Sequence, residues 1–100
     1  MIYITQLVYL KPGEETLFDQ FEKLAIPIIS KYKGRLLFRL RPAKEQFIES
    51  HIDPPYEIHL VAFEREEDFH DFSRDEERKQ FLYLKEQSIA SVLLIKGEKI

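Results

Sequence analysis

Tyr56-Glu57-Ile58-His59-Leu60-Val61-Ala62-Phe63-Glu64 reads as a β-strand, because β-branched and aromatic residues crowd it and Pro54 and Pro55 precede it. Successive side chains of a strand point to opposite faces. Ile58 and Leu60 lie on one parity of this segment, and Val61 and Phe63 on the other. A strand that is apolar on both sides needs cover on both sides. Two residues inside it, Glu57 and His59, are polar and share the parity of Val61.

Three further strands surround it. Residues 2–10 are rich in Tyr, Ile, Thr and Val and stop at Lys11-Pro12-Gly13. Residues 35–41 form the second strand and residues 89–96 the last, which ends before Gly97. Residues 14–33 carry apolar side chains at Leu17, Phe18, Phe21, Leu24, Ala25, Ile28, Ile29 and Tyr32, the three-and-four spacing of one helical stripe. Glu14 and Glu15 suit its start and Lys31 and Lys33 its end. Pro27 predicts a kink within a single bent helix, and Gly34 suits a left-handed stop. The connection 42–55 contains Phe47 and Ile48, candidates for a short extra strand or a lid. Residues 66–72 predict a short helix with Phe69 and Phe72 inward, and Ser73 or Asp75 could cap a second helical segment reaching Glu86.

The order strand–helix–strand–strand–helix–strand predicts a single α+β domain over residues 1–100, ferredoxin-like βαββαβ, with a four-stranded antiparallel sheet and its helices on one face. Two helices cover one face only. The other strands repeat the two-sided pattern: Ile4 and Val8 against Tyr3, Leu7 and Tyr9; Leu36, Phe38 and Leu40 against Leu37; and the run Val92-Leu93-Leu94-Ile95. Each large apolar side chain left in water forfeits roughly 1.5–3 kcal/mol of burial. A second copy laid against the open sheet face is the expected partner, giving a homodimer.

Composition narrows the function classes. The chain has no cysteine, so disulfides and thiolate chemistry are excluded, in keeping with a reducing, cytoplasmic setting. The start Met1-Ile2-Tyr3-Ile4-Thr5-Gln6 has no signal-peptide character, and no apolar run is long enough to span a bilayer. A net charge of −3 argues against an electrostatic nucleic-acid binder. The third strand also lacks the basic, glycine and aromatic signature of an RNA-recognition sheet. Gly13, Gly34 and Gly97 all punctuate elements, so no phosphate-cradling loop exists, and no serine lies in a nucleophile elbow.

His59 is the candidate catalytic residue, because histidine is the side chain whose ionisation lies nearest neutrality and this one sits mid-strand among apolar neighbours. Glu57, two residues away on the same face, could orient it; the structural alternative is a hydrogen-bonded core or interface histidine. Tyr3, Tyr9 and Tyr56 are candidates for lining a ligand pocket, or plain strand residues. Arg39 and Arg41 share a face and could grip a carboxylate or phosphate, or pair with glutamates across the dimer. His51 and His70 are weaker candidates, and no histidine pair has the spacing of a metal motif, so neither metal nor cofactor is expected.

Tyr32-Lys33-Gly34-Arg35, Val61-Ala62-Phe63 and Leu93-Leu94-Ile95-Lys96-Gly97 resemble the corresponding segments of the domain of unknown function 1330 family, a family of dimeric α+β-barrel proteins. The resemblance spans nearly the whole chain and implies a ferredoxin-like protomer whose sheet meets a second sheet face to face. The family's usual Tyr-Gly-Gly-Arg is here Tyr-Lys-Gly-Arg, and Glu57 stands near where an arginine often opens the third strand. The wider superfamily holds cofactor-free monooxygenases, haem-degrading enzymes, muconolactone isomerases and stress-induced proteins. The haem-degrading members use an Asn, a Trp and a His, and this chain has neither Asn nor Trp. Three expectations follow: a protein that binds a small apolar or aromatic metabolite; a cofactor-independent monooxygenase or isomerase with His59 as general base; or a structural subunit without a ligand.

Overall fold

Strand β1 (Ile2–Leu10) sits centrally in the computed structural model, which describes residues 1–100. It pairs antiparallel with β3 (Glu57–Phe63) on one side and β4 (Ile89–Gly97) on the other, and β2 (Gly34–Leu40) completes the sheet beside β3. The resulting order β2-β3-β1-β4 is that of the ferredoxin-like α+β fold. The molecule measures 36 × 35 × 16 Å, a slab two layers thick. Its helices form one layer: α1 (Glu15–Ala25), a 3₁₀ segment (Ile26–Tyr32), α2 (Glu66–Ser73), α3 (Glu76–Lys79) and α4 (Leu82–Ser88). No helix is long and apolar enough to cross a membrane.

The expected bent helix over 14–33 is instead an α-helix that gives way to 3₁₀ geometry at Ile26. Pro27 at the start of that segment has no N–H to give Lys23, so the tighter winding takes over from the α pattern. The tighter winding still buries Ile28 and Ile29, which is why the apolar stripe runs on through the change. The stripe differs in one place: Leu24 is exposed and Glu22 is buried beside Phe18, Phe21 and Ala25.

The left-handed stop also falls elsewhere. Lys33, with φ 59° and ψ 31°, closes the 3₁₀ segment, while Gly34 already belongs to β2. Gly34 is required for closeness instead: a Cβ there would lie 2.6 Å from both Ile29 Cγ2 and Phe63 Cε1. The left-handed region costs a residue with a Cβ roughly 1–2 kcal/mol. Lys33→Gly should therefore raise unfolding stability by about 0.5–1 kcal/mol after glycine's own entropy is counted, seen as a higher urea midpoint at unchanged slope.

The second expected helical segment is split. Asp75, not Ser73, caps α3, its carboxylate accepting from Arg78 N–H at 2.7 Å, and the chain turns again at Gln80 and Phe81 before α4. Phe47 and Ile48 form neither strand nor lid: a single 3₁₀ turn at Lys44–Gln46 precedes them, and Ile48 is fully exposed.

The core is divided. Ile4, Ile29, Val61 and Phe63 pack with Phe69 and Phe72 under the 3₁₀ segment and α2. Phe21, Ala25 and Leu84 pack with Leu17, Phe81 and Leu82 between α1 and α4. A β-bulge between Leu36 and Phe38 sets which side chains of β2 face inward. Leu36 points to the helices, but Phe38 and Leu40 point away from them, so Arg39 takes the inward place opposite His59. The outward face carries Leu37, Phe38, Leu40, Leu93 and Ile95, all exposed.

Candidate functional site

The register of β1 and β3 sets Val8 opposite Glu57, Gln6 opposite His59 and Ile4 opposite Val61. Ile4, Val8 and Val61 are core residues, so the same parity carries Glu57 and His59 under the helices, where they are 1% and 4% exposed. Burying a charge there is tolerable only if it is paired. Arg39 meets Glu57 as a fork, with Nη2 at 2.9 Å from Oε2 and 3.1 Å from Oε1, and Nε at 3.1 Å from Oε2. Arg41 Nε donates to Oε1 at 2.8 Å, and His59 Nε2 contacts Oε2. Both oxygens of Glu57 are thus engaged. Burial alone would push its carboxyl up, but the hydrogen bonds from His59, Arg41 and Arg39 outweigh that and hold it down to about 2. With a ring proton on Nε2 directed to this carboxylate, Nδ1 is the ring nitrogen left to exchange a proton with a ligand.

Glu22 approaches this pair from α1. The carboxylate oxygens of Glu22 and Glu57 and a ring nitrogen of His59 lie within 4.8 Å of one another. Burial pushes the Glu22 carboxyl up, and the charges of His59 and Arg39 only partly oppose this. Two carboxyls of opposite tendency therefore flank one imidazole, the pattern of an acid–base set. A cation seated among the three would have to displace two guanidinium groups from Glu57, so the electrostatics favour proton transfer over metal binding.

The gap between the two core clusters is a cleft in front of this set. Its smaller part, ≈ 50 Å³, is walled by Ile4, Phe21, Ala25, Ile29, Val61 and Phe63, with Gln6, Glu22, His59 and Arg78 as its polar groups. It continues toward β4 as a cavity of ≈ 340 Å³ bounded by Phe21, Phe69, Phe72, Val92 and Leu94, with Gln6, Glu22, Ser73, Arg78 and Lys85 as its polar side chains. Arg78 is held from behind. Its backbone N–H is bound by Asp75, and Asp75 in turn accepts from the Tyr32 hydroxyl and lies 3.6 Å from Lys31 Nζ.

The structure brings together four of the residues singled out from sequence: His59, Glu57, Arg39 and Arg41. Tyr56 stands beside the same group, edge-on to Phe18 at 5.8 Å and beneath the Arg41 guanidinium at 4.9 Å. Arg39 and Arg41 pair within their own chain. Tyr3 and Tyr9 have the opposite parity and lie on the far face of the sheet, where Tyr9 Oη donates to the Asp53 carbonyl at 2.8 Å. His51 and His70 are exposed. Glu22 and Arg78 were not singled out. Glu22 left a signal, since it falls on the arc of Phe18, Phe21 and Ala25; Arg78, in a charged run with no periodicity, left none.

The chain matches no protein-family model and no curated protein. Solved structures share its fold over its whole length. A protein of unknown function from Rhodopseudomonas palustris superposes with a TM-score of 0.83 at 12% identity, over 99% of this chain and 82% of that one. An uncharacterised NIPSNAP-like domain protein from Burkholderia xenovorans gives 0.70 at 19% identity, over 99% and 84%. An antibiotic biosynthesis monooxygenase-like protein from Nitrosomonas europaea gives 0.76 at 11% identity, over 100% and 99%. At these identities the likeness is one of ferredoxin-like α+β fold.

Proposed function

We propose that this protein binds a small apolar or aromatic metabolite in the cleft between its helices and its sheet, as a cytoplasmic homodimer joined through the open sheet face. One observation carries the reading: the core is split, and the gap between its halves is apolar-walled yet holds His59, Glu22 and Arg78. Apolar walls with a few convergent polar groups are the usual make-up of a small-molecule site. The three segments similar to the domain of unknown function 1330 family are compatible with such a dimer.

A second reading rests on the His59–Glu57 pair. In it the protein is a cofactor-independent monooxygenase or isomerase. Nδ1 of His59 takes a proton from carbon on a substrate acidic enough to release it, and Glu57 steadies the imidazolium. Arg39 and Arg41 keep Glu57 ionised and fixed throughout. The likeness to a monooxygenase-like protein supports considering this chemistry.

Screening aromatic and aliphatic metabolites by thermal shift should find binders that raise the melting temperature by several degrees at saturating concentration. His59→Phe should weaken them while leaving the protein folded. If no compound shifts the transition, the cleft is packing slack and the protein is a structural subunit. If a substrate is found and His59→Ala turns it over at the wild-type rate, the general-base reading falls and the binding reading stands.

A further inference from the structure

Arg78 carries a cost that the fold does not offset. Its Nε is buried and has no hydrogen-bond partner in the protein. Native structures leave few such groups, and each calls for an explanation. The guanidinium forms no ion pair; it lies over the Phe72 ring, 5.0 Å from the centroid, and borders both parts of the cleft. Lys85, on α4, borders the larger part of the cleft and is likewise free of any ion pair. Glu22, Asp75 and Glu86 act on these two charges from a distance, and none forms an ion pair with either. Glu57 is taken by Arg39, Arg41 and His59. Asp75 is bound by Tyr32 and by the backbone of Arg78. Glu22 is buried against His59, and that burial favours its neutral form.

We infer that the ligand is an anion: a small aromatic or aliphatic carboxylate whose acid group is received by Arg78, with Lys85 beside it, and whose apolar body lies among Phe21, Phe72 and Leu94 toward His59. The inference rests on the binding role proposed above and adds its chemical class. Three features support it. A guanidinium presents a planar set of donors that matches a carboxylate. A desolvated cation gains more from an anion than an exposed one does. The cavity of ≈ 340 Å³ is in the range of ligand sites and accommodates an acid about the size of two fused rings. A carboxylate held at Arg78 would direct the other end of the molecule past Glu22 to the imidazole, so the same anchor would orient a substrate for His59.

The test is calorimetric titration of the whole protein with 2-naphthoate and with the neutral 2-naphthamide. Naphthoate should bind about 30-fold more tightly than the amide, the value of a charge-assisted hydrogen bond to a buried partner. Arg78→Gln should remove most of that difference while changing amide binding less than about threefold, and Lys85→Gln should remove a smaller share. Should Arg78→Gln fail to fold by circular dichroism, Arg78→Lys, which keeps the charge and loses the planar fork, should give an intermediate affinity. Equal binding of acid and amide, unaffected by either substitution, would overturn the anionic class and leave the binding role intact. If neither compound binds, nor any neutral compound of the wider screen, the inference and the binding role fall together.

Discussion

Replacing Glu57 by alanine is expected to lower unfolding stability by about 3 kcal/mol, the cost of leaving buried or half-buried charges without their partner. Glu57 is the anion that Arg39, Arg41 and His59 share, and of the three only Arg41 has a second carboxylate partner, Asp19. Its removal leaves Arg39 without a carboxylate, Arg41 with Asp19 alone, and a buried imidazole that has lost its acceptor. In a domain of this size the transition temperature should fall by roughly 15 °C. Glu57→Gln keeps the shape and should cost less, since an amide can still accept from one arginine. The pH dependence gives a second readout. The carboxyl of Glu57 is depressed from 4.5 to about 2, so its contribution is complete above pH 4.5 and disappears as the pH falls toward 2. The wild type should lose stability across that window, and Glu57→Ala should lose less. Glu22 acts in the opposite sense. Its raised carboxyl favours folding while protonated, and that contribution is lost as the pH rises through its folded value. Glu22→Gln should therefore hold its stability at neutral pH. Equilibrium urea unfolding between pH 2 and 7 measures all three.

The second large effect concerns the open sheet face. Phe38, 44% exposed, and Leu93, 51% exposed, lie on it with Leu40 and Ile95. Removing side chains of this size from water is worth roughly 1.5–3 kcal/mol each, before the cost of association is subtracted. A two-fold axis through the face would let one patch cover itself, as the proposed dimer requires. Light scattering over a dilution series should then give a mass near twice 12.0 kDa. Leu93→Glu would bury a charge on each side of the interface, and the dissociation constant should rise more than about 100-fold. Leu93 pairs with Leu7 within the sheet, and β4 is an outer strand, so the protomer should stay folded. A monomeric wild type, or a variant that associates as the wild type does, would contradict the homodimer.

The architecture was legible because each element declared itself by its own period. The alternation in β1 and the spacing of Phe18, Phe21 and Ala25 require no knowledge of the rest of the chain. Gly34 shows where that ends. Local turn chemistry assigned it the left-handed position, while the true constraint is the approach of Ile29 and Phe63 from two distant segments. The bulge in β2 is equally non-local. It turns Phe38 outward and Leu36 inward on a strand whose sequence reads as plain alternation. At the site, His59 and Glu57 could be read because they share a strand parity. Their arginines could be read as a pair but not as partners of Glu57, since the register of β2 against β3 decides that. Arg78 depends on the packing of α3 over Phe72, which no periodicity encodes.

The helix–sheet cleft is proposed to receive a small molecule against His59. The most direct measurement is the long-range ¹H–¹⁵N spectrum of the His59 imidazole during titration with the strongest compound of the screen, at a pH where Nε2 carries the ring proton. The Nδ1 resonance should move in step with binding, together with the ring signals of Phe21 and Phe72, while those of Tyr3 and Tyr9 on the far face stay fixed. Movement confined to Tyr3, Tyr9 and Phe38, or a His59 ring that does not respond at saturation, would contradict it.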